Sequence, residues 1–238
     1  MDHGTQMSED IYVNKGTSTD GVTYPRPEWW PKAVPEMVVH VGGYESLLVR
    51  EVWVEDTYRV TPSKIVGGVV VDLGANVGVF TLMAAKLGAS RVIACEPNAD
   101  NYRRMLGNLA LNPAIAGCVE PKNVAVHGAS GTVLIDGAWG AARVGPQGDE
   151  VASVSLADLL DGITEVAFLK VDVEGSEFAI FDAAPVDVIG RCRWIAMELH
   201  DSDAATWARL VDKLKRTHTV VMAGKPATGG SLWAERKA

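Results

Sequence analysis

The chain holds 238 residues, with 22 Lys and Arg against 30 Asp and Glu and a formal net charge of −8, which argues against a partner bound through nucleic-acid phosphates. At 47% hydrophobic and 22% charged residues it has the composition of a globule rather than of a disordered or collagen-like chain, and no apolar run reaches the ~18 residues of a membrane span. The polar start does not resemble a signal peptide, and the widely spaced Cys95, Cys118 and Cys192 make neither a disulfide framework nor a zinc pair, so a cytoplasmic protein is expected.

Residues 1–35 read as an irregular arm, broken by Pro25, Pro27, Pro31 and Pro35 around Trp29-Trp30. It either packs on the domain, covers a substrate or makes a dimer contact, so a homodimer is possible. Residues 38–60 alternate in two β-rich runs around Gly42-Gly43 and predict a hairpin. The expected organisation is therefore an arm and hairpin over 1–60 and an α/β domain over 61–238. In that domain, near-continuous apolar runs over 65–71 and 166–171 predict strands buried on both faces. Further strands are expected over 91–95, 119–126, 132–135 and 194–199, and a closing hairpin over 219–223 and 231–235. Helical spacing marks 77–87, ending at Gly88, then 99–111, 155–160, 176–182 and 204–217. Strands alternating with helices give right-handed βαβ units and a mostly parallel sheet. The Gly-rich stretch 136–149 reads as a loop over the substrate or a surface excursion.

In such sheets, ligands bind beyond the carboxyl ends of the strands. The first strand ends in Asp72-Leu73-Gly74-Ala75-Asn76-Val77-Gly78. Gly74 and Gly78 permit a sharp turn and a close backbone approach, and Asn76 tolerates left-handed dihedrals. The dinucleotide glycine fingerprint is absent, since Asn76 and Val79 stand where glycines would be needed. Asp72 would repel a pyrophosphate and suit an ammonium or sulfonium, both of which S-adenosylmethionine carries. Glu96, 24 positions later at the next strand end, can accept two ribose hydroxyls, and Pro97-Asn98 closes that turn. Capping of the following helices is the plainer reading of each acid taken alone.

Asp-Leu-Gly-Ala-Asn-Val-Gly-Val-Phe-Thr, Glu96-Pro97-Asn98 and Leu169-Lys170-Val171-Asp172-Val173-Glu174-Gly175-Ser176-Glu177 together resemble the FkbM-type methyltransferases, from about residue 49 to 237. The resemblance implies a Rossmann-like class I fold of seven strands, mostly parallel with an antiparallel last strand, and S-adenosylmethionine-dependent O-methylation of a small molecule, sugar or natural product. It implies cofactor contacts at Asp72, Gly74, Ala75, Asn76, Gly78, Glu96, Pro97, Asn98 and Asp172, with the adenine near Asn123 and Ala125. N- or C-methylation on the same scaffold, and a non-catalytic cofactor-binding protein, are the rival readings.

A hydroxyl acceptor needs a base, or a metal that lowers its pKa. Asp172, Glu174, Glu198 and His200 cluster at the ends of the fourth and fifth strands and are the expected catalytic residues. Two readings stay open: Asp172 and Glu198 bind a divalent cation such as Mg2+, or no metal is needed and Glu198 orients the substrate or Lys170. His200 is the best base by its ordinary pKa, while His40 and His127 read as structural. Lys170, inside an apolar strand, needs a carboxylate partner, and Glu177 suits the positive end of its helix.

Overall fold

The computed structural model describes residues 9–12, 38–41, 46–137, 143–200 and 202–238. Trp29-Trp30, the Gly42-Gly43 turn and Trp139 lie outside the described residues.

Strands β1 (Glu9–Tyr12) and β2 (Val38–Val41) pair antiparallel. The run that follows is not a strand. It forms a helical turn, α1 (Ser46–Val49), continued by a π-helical turn over Arg50–Val54. The expected hairpin over 38–60 is thereby corrected: β2 finds its partner in the arm. Val49, Val52 and Trp53 are buried while Leu47 is 61% exposed. That i, i+3, i+4 spacing is helical, and the β-branched residues in the run disguised it.

The succeeding elements are α2 (Pro62–Ile65), β3 (Val69–Leu73), α3 (Val79–Lys86), β4 (Arg91–Cys95), α4 (Ala99–Ala110), α5 (Pro113–Ala116) and β5 (Val119–Lys122). Next come β6 (Ala125–His127), β7 (Gly131–Asp136), β8 (Arg143–Val144), β9 (Asp149–Ser155), α6 (Leu156–Leu159) and β10 (Val166–Val171). The chain ends in α7 (Glu177–Ala183), α8 (Val186–Ile189), β11 (Cys192–Leu199), α9 (Ala204–Leu214), β12 (His218–Lys225) and β13 (Gly229–Arg236). Side chains cap the helix starts as their residue types require: Asn98 accepts from the amides of Asp100 and Asn101, Ser155 from Asp158, and Asp203 from Thr206.

The main sheet has seven strands in the order β12-β13-β11-β10-β3-β4-β5. Its members from β5 to β11 run parallel, and β13 is antiparallel to both neighbours. This is the α/β class I methyltransferase sheet, with the closing hairpin in place. Order reverses between β3 and β10, where a ligand crevice is expected. The sheet is covered on both faces. Val70, Val92, Phe168 and Ala196 point to one side, toward α3, α4 and the 46–60 segment. Val71, Ile93, Leu169, Ile195 and Met197 point to the other, toward α6 to α9. Trp53, Tyr58 and Val60 share the first of these cores.

A second sheet of four strands, in the order β6-β9-β7-β8, was not anticipated. The run 119–126, expected as one strand, divides between the two sheets. At the division Asn123 donates its amide to the carbonyls of Glu96 and Pro97.

Candidate active site

The cleft opens beyond the ends of β3, β4 and β10. Gly74 has φ 76, and a Cβ there would lie 1.7 Å from the Asp172 carbonyl oxygen, so only glycine lets these two strand ends come together. Asn76 adopts the left-handed conformation, φ 51, as its residue type allows. Its amide donates to Glu96 Oε2 at 2.8 Å, and the Asn98 amide donates to Oε1 at 2.9 Å. Burial pushes the Glu96 carboxyl up to about 7, against the opposing pull of those two amides.

Of the residues expected at the cofactor, Gly74, Asn76, Glu96, Pro97, Ala125 and Asp172 line the cleft. The second sheet supplies its apolar wall through Ala125, Val126, Ile135 and Val144. Other expected contacts are one step back. Ala75 donates its amide to Cys95. Gly78, φ 88, starts α3, where a Cβ would press on Met105 at 2.9 Å. Asn98 caps α4, and Asn123 ties the β4 turn to the second sheet.

Asp72 is the main correction among the cofactor residues. It is fully buried and does not line the cleft. Its Oδ2 accepts from the Thr81 hydroxyl at 2.6 Å, and its Oδ1 lies 3.3 Å from Lys170 Nζ. The cause is register: Lys170 and Asp72 are Cα partners in adjacent parallel strands, so both side chains point to the same face. Lys170 Nζ also donates to the Gly74 carbonyl at 2.6 Å and sits 3.5 Å from Asp172 Oδ2. Burial acts to lower the lysine pKa, but Asp72 and Asp172 outweigh it and raise it. The partner that an ammonium inside an apolar strand requires is thus provided twice.

Sequence reasoning missed Tyr58. Its hydroxyl donates to Asp172 Oδ2 at 2.9 Å, and its ring stacks edge-on against Phe80. Glu51, also missed, stands near Asp172 and Glu198. Nothing in the local sequence separates either residue from an ordinary amphipathic surface; the helical reading of 46–54 would have placed Glu51, while Tyr58 is directed by the loop that follows.

The expected catalytic residues fall into two groups. Asp172 and Glu174 line the cofactor cleft. Glu198 and His200 line a neighbouring cavity of about 410 Å3, together with Glu51, Thr57 and the 227–231 turn. Burial first, then Asp172 and Glu51, push the Glu198 carboxyl up to about 7. Burial and Asp172 likewise raise Glu51, which hydrogen-bonds Glu198.

His200 corrects the expectation of a histidine base. Nδ1 lies 2.8 Å from Glu177 Oε1 and Nε2 lies 3.0 Å from Glu174 Oε2. Burial opposes its charge, but the two carboxylates prevail and push it up to about 11. At neutral pH it is an imidazolium with both nitrogens engaged, not a proton acceptor. Glu177 is fully buried and also accepts from the Val173 and Gly175 amides, which fixes the turn after β10.

The expected metal pair was Asp172 and Glu198. Among the described residues, the side chains that come within 4.8 Å of one another as candidate ligands are Asp172, Glu174 and His200, and Glu198 is not among them.

Residues 72–218 match the family described as Methyltransferase FkbM domain. The chain belongs to the FkbM methyltransferase family. The crystal structure of methyltransferase FkbM from Methylobacillus flagellatus KT superposes with a TM-score of 0.52 at 18% identity, covering 71% of this chain and 43% of that one. The 16S rRNA N2 G1207 methyltransferase of T. thermophilus, solved with AdoMet and guanosine, gives a TM-score of 0.48 at 17% identity, over 91% of this chain and 53% of that one. The AMB antimetabolite synthetase AmbE of Pseudomonas aeruginosa is 27% identical over 224 residues, 73% of this chain. The match covers only 10% of AmbE, so this chain spans a small part of that relative and under half of the FkbM structure.

Enzymes of the FkbM family depend on S-adenosylmethionine, and the cleft fits that cofactor. It offers a carboxylate preset by two amides for the ribose, an apolar wall for the base, and a glycine turn with no room for a side chain. Asn76 Oδ1 is buried without a hydrogen-bond partner among the described residues. Counted formally, buried Asp72 and Lys170 with the part-exposed Asp172 carry one net negative charge, complementary to a sulfonium or ammonium. No described helix is long and apolar enough to cross a membrane.

Proposed function

We propose that this FkbM-family enzyme methylates a hydroxyl of a small molecule, sugar or natural product, with Glu198 as the general base. When bound, S-adenosylmethionine supplies an electrophilic methyl on a sulfonium, and the chain's residues position the acceptor and take its proton. Glu198 carries the reading. A hydroxyl is a poor nucleophile at neutral pH, and a base is most effective when its pKa lies near the working pH. Glu198 has that property, about 7, in a cavity that adjoins Asp172. Asp172 and Glu174 would orient the acceptor at the boundary between cleft and cavity, and the charged His200 would hold Glu174 there.

This reading uses no divalent metal, so turnover is expected to survive a chelator. The acidic balance of −8 favours a small acceptor over nucleic acid, and the name of the antimetabolite synthetase supports a natural product. The unpaired cysteines suit a cytoplasmic setting. The test is a screen of hydroxylated acceptors with labelled cofactor, followed by the pH profile. On an accepted substrate, kcat/KM should rise with an apparent pKa near 7, and Glu198→Gln should cost at least tenfold in kcat with cofactor affinity kept. Turnover by Glu198→Gln within a factor of two of wild type overturns the assignment.

A further inference from the structure

Tyr58 lies outside residues 72–218, the span of the family match, yet its hydroxyl reaches the end of β10. The loop that carries it is built for that reach. Asp56 and Arg59, neither of them glycine, both have left-handed backbones, φ 48 and φ 51. Such conformations persist only where their surroundings over-determine them. Here they do: Asp56 Oδ1 accepts from the Val60 amide at 2.8 Å, Trp233 Nε1 donates to the Thr57 carbonyl at 2.9 Å, and the Arg59 guanidinium stacks 3.5 Å over the Trp233 ring. The loop is pinned to β13 on one side, and Tyr58 enters the core on the other, 3% exposed against Phe80.

At Asp172 the contacts are one-sided. The Tyr58 hydroxyl at 2.9 Å and Lys170 Nζ at 3.5 Å both fall on Oδ2. The carboxyl cannot rotate without giving up both, and the other oxygen is left for the cleft that Asp172 lines. We infer that Tyr58 is a positioning residue, supplied by the segment before the family domain, which with Lys170 clamps Asp172 so that Oδ1 faces the positively charged end of the cofactor.

This inference rests on the reading of the cleft as the cofactor site, but it needs no acceptor. The test is calorimetric binding of S-adenosylmethionine and of S-adenosylhomocysteine, which lacks the sulfonium charge. Both ligands are measured on the full chain as wild type, Tyr58→Phe, Asp172→Asn and the double variant. Tyr58→Phe removes one oxygen and keeps the ring packing. Since it withdraws a charge-assisted hydrogen bond from Asp172, Tyr58→Phe should reduce the preference for the sulfonium ligand about tenfold. Asp172→Asn should reduce it at least as much. In the Asp172→Asn background, Tyr58→Phe should change the preference less than twofold, because its route of action is already gone. Losses that simply add in the double variant mark Tyr58 as structural and overturn the inference. So does an unchanged preference in Asp172→Asn. Failure to methylate any hydroxyl would defeat the acceptor reading and leave these ratios as they are, so the two failures are distinguishable.

Discussion

Replacing Lys170 by methionine isolates the electrostatic centre of the fold. The side chain is 5% exposed, and its ammonium lies 3.3 Å from Asp72 and 3.5 Å from Asp172. Methionine keeps most of the volume and polarisability, so the cavity contribution is small. What remains is two carboxylates on neighbouring strand ends with no cation between them. Removing one partner of a buried ion pair costs roughly 3–5 kcal/mol, and in a domain of this size each kcal/mol moves Tm by about 2–4 °C. A fall of roughly 6–20 °C follows, read by thermal unfolding. The pH dependence makes the cause visible. In the wild type the lysine pKa is raised on folding, so its contribution is complete below the unfolded value of about 10.4 and is lost only as pH rises through the higher folded value. Between pH 5 and 8 this group gives the wild type no slope. Lys170→Met should instead recover stability as the pH is lowered, because protonating an unpaired carboxylate relieves the repulsion. Adding Asp72→Asn should restore at least half of the loss at pH 8. A Tm within 2 °C of wild type, or a deficit equal at pH 5 and pH 8, would refute the reasoning.

Gly74 and Gly67 give a matched pair, since both have positive φ, 76 and 72, but a Cβ at Gly67 meets nothing within 4 Å. Gly67→Ala should cost only the left-handed strain of about 1–2 kcal/mol. Gly74→Ala, 1.7 Å from the Asp172 carbonyl, should destabilise several-fold more and abolish cofactor binding. For Glu96, pushed up to about 7, cofactor affinity measured by calorimetry should weaken as pH falls below about 7, and Glu96→Gln should cost about 10- to 100-fold, the value of charge-assisted bonds. His200 has a folded pKa of about 11 against an unfolded value near 6.5. Its stabilisation is therefore full below about 6.5 and fades as pH rises toward 11, so the Tm deficit of His200→Asn should be largest at pH 6 and shrink by pH 9.

The parallel sheet was legible because its strands are buried on both faces and so read as uninterrupted apolar runs; residues 91–95 and 166–171 are found where expected. Helices over 99–110 and 204–214 are likewise found where their spacing placed them, and the capping side chains of Asn98 and Asp203 fix their starts. The 46–54 segment was not legible. Its valines favour a strand by propensity and masked the helical spacing of Val49, Val52 and Trp53, whose burial against the sheet decided for a helix. The second sheet was hidden for a related reason. Its strands are short and half exposed, and β6 follows β5 after only two residues, so one strand was the simpler reading. At the site, residue types pointed to the right positions but not always to the right tasks. Glu96 and Asp172 face the cleft, whereas Asp72 and His200 are occupied by neighbours distant in sequence.

Those two corrections share one physical origin. A strand end crowded with carboxylates is unstable unless cations are built into it, and the chain provides two, Lys170 and His200. Each is pinned between two acids: Lys170 between Asp72 and Asp172, His200 between Glu174 and Glu177. Neither cation is left over to act on a substrate. The acids not so pinned are Glu51 and Glu198, and those two are pushed upward by burial and by Asp172. The pairing therefore sorts equivalent residue types into different work. Paired carboxylates hold the strand ends, and two of them, Asp172 and Glu174, line the cleft. Glu51 and Glu198, both raised by burial, stand beside the cavity, and under the proposed function they are the groups that would exchange a proton with the acceptor. On that proposal, charge count around the turn, rather than the identity of any one residue, separates the binding half of the site from its proton-transfer half.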